Sequence, residues 1–350
     1  MNSKRIIIAT LSLLLAALLL VGTVNVLIDP LFVYHKPWFG LEPNIINERY
    51  QNAGIARNFD FENAIIGNSM SQNFILSDAE KALDGKTVKL TAPGSHMLDW
   101  SYVLDVLSKR KKHPEKVLLN FDTGFILSSD KETMHKMPTY LYDDSYWNDV
   151  EYLFNFTLLN KYTYGSLKAN KNNSVADYNT AFIWTQENDT GKEKVLAGYY
   201  KEKNKQVETE QNVEFFTEEN LELLKKYVES MPDTQFVFFG APFSVLYWND
   251  IYECGQLDDY KIEFENAFRF MSQYDNITMY FWTDEEMLNI MSDLDNYKDS
   301  SHYGAHISKE ILRRIDEEIG VLPKEEKAWK AALERYFTYL ENFDYTTLFK

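Results

Sequence analysis

Five short apolar runs, each followed by residues of helical character, constrain this chain more than any other feature. They occupy 63–67, 87–92, 116–121, 235–239 and 277–282, and each is too short for a buried helix. Between and after them, helices are expected at about 78–83, 97–111, 218–230, 260–274, 284–294 and 305–319. Ser77 with Glu80 reads as a capping box for the first of these, and Thr217 as the N-cap of the third. Strands alternating with helices at this spacing predict a parallel sheet in a layered α/β domain.

The rest of the chain is arranged around that domain. Residues 6–28 are apolar apart from small or weakly polar side chains such as Thr10, Ser12, Thr23 and Asn25, and carry no charge, which is enough to span a bilayer. Lys4 and Arg5 precede the run and Asp29 follows it, so residues 1–5 are expected in the cytoplasm and the rest outside. A cleaved signal peptide is the rival, but the run exceeds a usual signal core and ends in no clear small-residue site, so an uncleaved anchor is expected. Residues 30–62 have little periodicity and read as an irregular connector. The α/β alternation lapses again between about 125 and 213, an insertion rich in Tyr140, Tyr142, Tyr146, Trp147, Tyr152, Phe154, Phe156 and Trp184. Those rings either stack on sugars or form the core of a small helical subdomain. At the end, Trp329, Leu333, Phe337 and Leu340 recur at helical spacing within 324–346, an amphipathic helix docked on the domain or on a partner.

Charge and cysteine content narrow the chemistry. A formal net charge of −17 argues against binding nucleic acid or an anionic lipid surface through bulk electrostatics. Cys254 is the single cysteine, which excludes an internal disulfide and makes thiol chemistry improbable. No metal or cofactor is expected: His302 and His306 are one helical turn apart, but the residues between them lack the glutamate of a zinc-protease motif and no third ligand is evident.

Candidate chemistry begins where the first apolar run turns. Gly67 permits a sharp change of direction, and Ser69 then projects a hydroxyl at the rim of the sheet, beside the free N–H groups of any helix that follows. Taken alone this is a glycine-containing turn with a solvated serine. Asp299 and His302 change its meaning, because a carboxylate three residues before a histidine can orient one ring nitrogen and aim the other at a nucleophile. His96, beside Gly94, is a weaker candidate.

With these blocks in place the chain resembles the SGNH/GDSL hydrolases, over roughly 63–320 apart from the insertion. Gly67-Asn68-Ser69-Met70 is similar to the family's first block, Gly94 to its second, and Asp299 with His302 to its last. The resemblance implies a three-layer α/β/α, flavodoxin-like domain, with Ser69 as nucleophile, His302 as base and Asp299 as its orienting acid. It also implies that the backbone N–H groups of Ser69 and Gly94 donate to an oxyanion. Two positions depart from the pattern. Asn68 stands where the family carries aspartate, and the third block reads Leu-Asn120-Phe-Asp122-Thr-Gly with no Asn-Asp pair. Either Asn120 is out of register or Asp122 stands in, and an ionised carboxylate cannot donate to an oxyanion. The loss of one such donor is worth about 3 kcal/mol of barrier.

A single N-terminal span before such a domain is similar to membrane-anchored bacterial envelope proteins of lipoteichoic-acid D-alanylation and alginate O-acetylation, which work with multi-span acyltransferases. The expectation is therefore an extracytoplasmic serine esterase or O-acyl(acetyl)transferase acting on a cell-envelope or exported glycopolymer. The competing expectation is a catalytically silent protein of the same fold that grips a polysaccharide or an acyltransferase partner.

Overall fold

The computed structural model describes residues 3–185, 189–203 and 213–350. They fall into two compact units, the first built from Met1–Asp60 and Met137–Ala181, the second from Phe61–Lys136 and Phe182–Lys350.

The second unit is a mixed α/β domain around a five-stranded, all-parallel sheet. Its strands are β1 (Asn63–Ile66), β2 (Thr87–Lys89), β3 (Lys116–Phe121), β4 (Gln235–Gly240) and β5 (Ile277–Tyr280), in the order β2-β1-β3-β4-β5. Ala64 pairs with Val88 on one side and Val117 on the other, and Leu119 of β3 lies opposite Phe238 of β4. A parallel strand is apolar on both faces because helices cover both. Accordingly Ile65, Leu118, Leu119, Phe236 and Phe238 are fully buried. Strand order reverses between β1 and β3, the place where open α/β sheets form a crevice beyond their strand ends. The helices pack in two groups. Met97–Ser108 lies against Thr217–Ser230, which packs on Leu257–Met271, which in turn receives Glu326–Asn342; separately, Leu76–Leu83 packs on Ala305–Asp316.

The C-terminal helix docks on the domain itself. Trp329, Leu333, Phe337 and Leu340 are buried, and Phe337 meets Trp248 and Phe264 at ring distances of 5.9 and 5.6 Å. Each such side chain contributes about 1.5–3 kcal/mol by burial.

Several local expectations are corrected. The expected capping box does not form: helix Leu76–Leu83 starts one residue before Ser77, and Glu80 instead accepts from the Thr87 N–H at 3.3 Å, tying the helix to β2. Thr217 lies inside its helix, with Phe216 at the cap and no side-chain bond there. Helix Val245–Glu253, in a stretch that carries no expectation from sequence, is capped by Ser244 Oγ, which accepts from Tyr247 N–H at 3.3 Å. β2 is shorter than its apolar run, yet Leu90 and Ala92 still donate to the Ile65 and Gly67 carbonyls at 2.8 and 2.9 Å.

The first unit holds one helix, Ser3–Ile28, long and apolar enough to cross a membrane. The connector after it is not irregular, for it contains helix Glu48–Asn58, capped by Asn47. Its sequence hides the helix because the buried face is made of Gln51, Asn52, Ala53, Gly54, Ile55 and Ala56, small and polar residues that give no apolar stripe. Gln51 is paired on every side: Oε1 accepts from the Ile46 and Asn47 N–H groups at 2.8 Å, and Nε2 donates to the Pro30 and Asn44 carbonyls at 2.9 Å. Gly54 is required by close approach, since a Cβ there would stand 2.2 Å from the Leu31 carbonyl oxygen.

The aromatic-rich insertion is divided between the units: Met137–Ala181 belongs to the first and the described residues after it to the second. Of its rings, Tyr142 and Tyr152 are core, with hydroxyls donating to the Arg49 carbonyl at 2.7 Å and to Asp29 Oδ1 at 2.6 Å. Tyr146, Trp147 and Phe156 are exposed.

Candidate active site

The carboxyl end of β1 sets the site. At Gly67 a Cβ would lie 2.3 Å from Asn120 Oδ1 and 2.5 Å from Ser71 Oγ, so no larger residue fits. Asn68 follows with extended backbone, and its Oδ1 accepts from Met70 N–H at 2.9 Å, capping the short turn Ser69–Gln72. Ser69 opens that turn, so its N–H is among the donors a helix start leaves without an intrahelical acceptor.

Ser69 Oγ lies 2.8 Å from His302 Nε2, although the two are 233 residues apart in the chain. His302 Nδ1 is 2.8 Å from Asp299 Oδ2 and 3.0 Å from Oδ1. With Nδ1–H donating to the carboxylate, Nε2 is the nitrogen left to accept from the serine hydroxyl. Asp299 is fixed in turn: its Oδ1 accepts the backbone N–H of Ser301 at 3.0 Å and of His302 at 2.8 Å. Partial burial is the largest influence on this carboxyl and works against its charge. The hydrogen bond and charge of His302, with the two backbone donors, outweigh it and hold the pKa at about 2.

The loop that carries Asp299 and His302 is anchored on both sides. Tyr297 Oη donates to the Pro242 carbonyl at 2.7 Å, in the turn after β4. Tyr303 Oη donates to the Met70 carbonyl at 2.7 Å, joining the neighbour of His302 directly to that of Ser69. Trp184 closes a third side. Its indole N–H donates to the Ser69 carbonyl at 3.3 Å, its ring meets His302 edge-on at 5.1 Å, and Lys298 Nζ lies 4.9 Å over its face. Sequence alone does not mark Tyr303 or Trp184 for the site; the signals it holds are the adjacency of Tyr303 to His302 and an aromatic in the insertion.

Gly94 sits in a turn beside Gly67. Ala92 N–H donates to the Gly67 carbonyl at 2.9 Å, Ser95 Oγ to the same carbonyl at 2.9 Å, and Trp100 Nε1 to Ser95 Oγ at 2.9 Å. Its φ of +61° is left-handed, so the backbone calls for glycine, while the Met134 Sδ that a Cβ would meet at 2.8 Å ends an exposed side chain that can move aside.

Asn68, Asn120 and Asp122 come together, but beneath the site. Asn120 Oδ1 accepts from Asn68 N–H at 3.1 Å and Ser71 Oγ at 3.0 Å, and its Nδ2 donates to Asp122 Oδ2 at 2.7 Å. Asn68 Nδ2 donates to the same Asp122 oxygen at 2.8 Å, while Asp122 Oδ1 caps Phe125 N–H at 3.3 Å. The side chains expected to supply a third oxyanion donor are therefore spent on holding the turn that carries Ser69. The same network accounts for Asn68: facing a buried carboxylate, this position needs a donor. Asn68→Asp is expected to destabilise the protein by about 2–4 kcal/mol in urea denaturation, because two carboxylates would face each other in the core. Adding Asp122→Asn should recover most of that loss, and a neutral single substitution would show that the pairing carries no weight.

His135 lies against Gly94, its Nε2 3.3 Å from where a Cβ there would stand, whereas His306 and His96 are engaged elsewhere. His306 Nε2 pairs with Asn296 Oδ1 at 3.0 Å, and among the described residues no group of three or more His, Cys, Asp or Glu side chains is placed to hold a metal. His96 caps helix Met97–Ser108, its N–H donating to Asp99 Oδ2 at 3.2 Å. A scan against protein-family models finds no match for this chain, and neither does a search of curated proteins.

Proposed function

We propose that this protein is a serine esterase or O-acyltransferase of the SGNH/GDSL type, in a flavodoxin-like α/β/α domain, held outside the cytoplasm by its N-terminal helix. The observation that carries the proposal is the relay from Ser69 Oγ through His302 to Asp299, both contacts at 2.8 Å. In it, Ser69 Oγ attacks an ester carbonyl as His302 Nε2 takes its proton, and the same proton passes to the departing alcohol when the tetrahedral adduct collapses. Asp299 stays ionised and holds the imidazolium. The N–H groups of Ser69 and Gly94 receive the oxyanion, a two-donor hole that lacks the side-chain amide of the third block. The acyl group then passes to water or to a sugar hydroxyl. Trp184 is the ring in this site on which a sugar face can rest. The substrate is a cell-envelope or exported glycopolymer bearing O-acyl or O-acetyl esters, and a multi-span acyltransferase is the partner that fits a transfer reaction.

The inward commitment of Asn120 and Asp122 favours a second reading, a silent domain that binds polysaccharide or an acyltransferase. Hydrolysis of a small acetyl ester by the detergent-solubilised full chain separates the two. Turnover that falls on the order of 10³-fold or more in His302→Ala supports the enzyme. Glycan binding without turnover supports the silent protein.

A further inference from the structure

The N-terminal helix is not exposed along its whole length. Side chains of residues 3–20 face outward, whereas Val21, Gly22 and Asn25 are buried within the first unit. Gly22 admits the ring of Phe154, which a Cβ would meet at 3.1 Å. Asn25 donates from Nδ2 to the Leu153 carbonyl at 2.9 Å and accepts from Thr163 Oγ1 at 2.9 Å, so its amide is paired where lipid could not pair it. Counted from Ile6, where the uncharged run begins, Val24 lies about 27 Å along the helix, close to the thickness of a hydrocarbon core, which puts it where acyl chains meet headgroups.

At that level the unit is unusually apolar. An open groove of about 700 Å³ is lined by Val24, Phe156, Leu159, Lys161, Tyr164 and Leu167. Phe156 and Tyr164 are 62% and 60% exposed, too much for a core and too clustered for ordinary surface. On the turn that leaves the helix, His35 Nε2–H donates to the Val26 carbonyl at 2.8 Å and stacks on Trp38 at 3.6 Å, with Phe39 beside it 73% exposed. Exposed tryptophan, tyrosine and phenylalanine around a helix exit, with a lysine whose stem can lie along them, is the composition of a lipid–water interface. Charge agrees, for acidic and basic side chains nearly balance in this unit while the excess of carboxylates falls on the other.

We propose that the first unit is seated in the bilayer interface, with lipid headgroups and upper acyl carbons occupying the groove beside Val24. This rests on the reading of Ser3–Ile28 as a span, and adds to it that the polypeptide beyond the span is itself in contact with lipid.

The test uses the full chain with Cys254→Ser, nitroxide-labelled at one introduced cysteine at a time and reconstituted in vesicles of phosphatidylcholine with a minor share of phosphatidylglycerol. Labels at Phe156→Cys, Tyr164→Cys and Leu167→Cys are compared with Leu14→Cys in the span and Ile262→Cys, 55% exposed on the second unit. The expected result is dissolved-oxygen collisions that exceed those with a nickel chelate at 156, 164 and 167. Nickel collisions there should be on the order of tenfold fewer than at 262, as for sites about 5–10 Å into the interface. If position 14 is in lipid while 156, 164 and 167 match 262, the seating is wrong and the span stands. If position 14 is also aqueous, the span reading fails and takes the proposal with it. Shielding of the groove from both reagents would mean that protein covers it, which equally overturns the proposal.

Discussion

Ser69→Ala is expected to abolish covalent capture by a serine-reactive phosphonate and to cut acetyl-ester turnover by about 10⁴–10⁶-fold, with folding intact. The size follows from what the hydroxyl does in the proposed reaction. It forms the bond to the acyl carbon, and neither His302 nor a helix N–H can replace it. What alanine removes from the folded state is small, because the Ser69 hydroxyl is bonded to His302 Nε2 at 2.8 Å, and a single hydrogen bond is worth about 1 kcal/mol net. The same experiment separates nucleophile from bystander: Ser71 is buried, with its hydroxyl given to Asn120 Oδ1 at 3.0 Å, and is not in a position to be labelled. Labelling of Ser69→Ala equal to wild type would remove Ser69 as the nucleophile, whatever the turnover.

How much of this was legible in the sequence depends on whether a residue's role shows in its own neighbourhood. β3 has the bounds its apolar run predicts because Val117, Leu118 and Leu119 are buried between β1 and β4, and Asn120 and Phe121 are buried where they pair with β4 alone. Asp299 and His302 were legible because their geometry is local, three residues apart in one turn. Helix Glu48–Asn58 was not, because it buries amides and small side chains rather than an apolar stripe. Asn120 and Asp122 show a subtler limit. Residues two apart along an extended chain share one face, so both side chains entered the same network under Asn68. Motif spacing reads which residues are present and not whether they point into the crevice or under it. Ser77 and Thr217 failed as caps for a related reason: a helix start is set by where the chain leaves its preceding turn, and each of these residues had already turned helical.

Asp299→Asn tests the relay by removing the charge and one acceptor oxygen without changing the side chain's size. An asparagine keeps the size of the side chain, but its Nδ2 can donate to His302 Nδ1, which would leave Nε2–H pointing at Ser69 with no lone pair to take its proton. Turnover should fall by about 10⁴-fold, and phosphonate labelling should slow in the same proportion, since both need the same proton transfer. Stability carries an independent signature. The folded carboxyl has a pKa of about 2, below the 3.8 of the unfolded chain, so ionisation favours the fold above about pH 4, and that contribution is lost as pH falls through about 2. The stability difference between wild type and Asp299→Asn should therefore grow between about pH 2 and 4 and stay level above it, measured by urea denaturation at each pH. The carboxylate is 48% exposed, so the difference should be small even though its pH course is defined. A variant with full turnover and the stability course of wild type would mean that the contact between Asp299 and His302 neither orients the base nor lowers the acid, and the site would need another source for its general base.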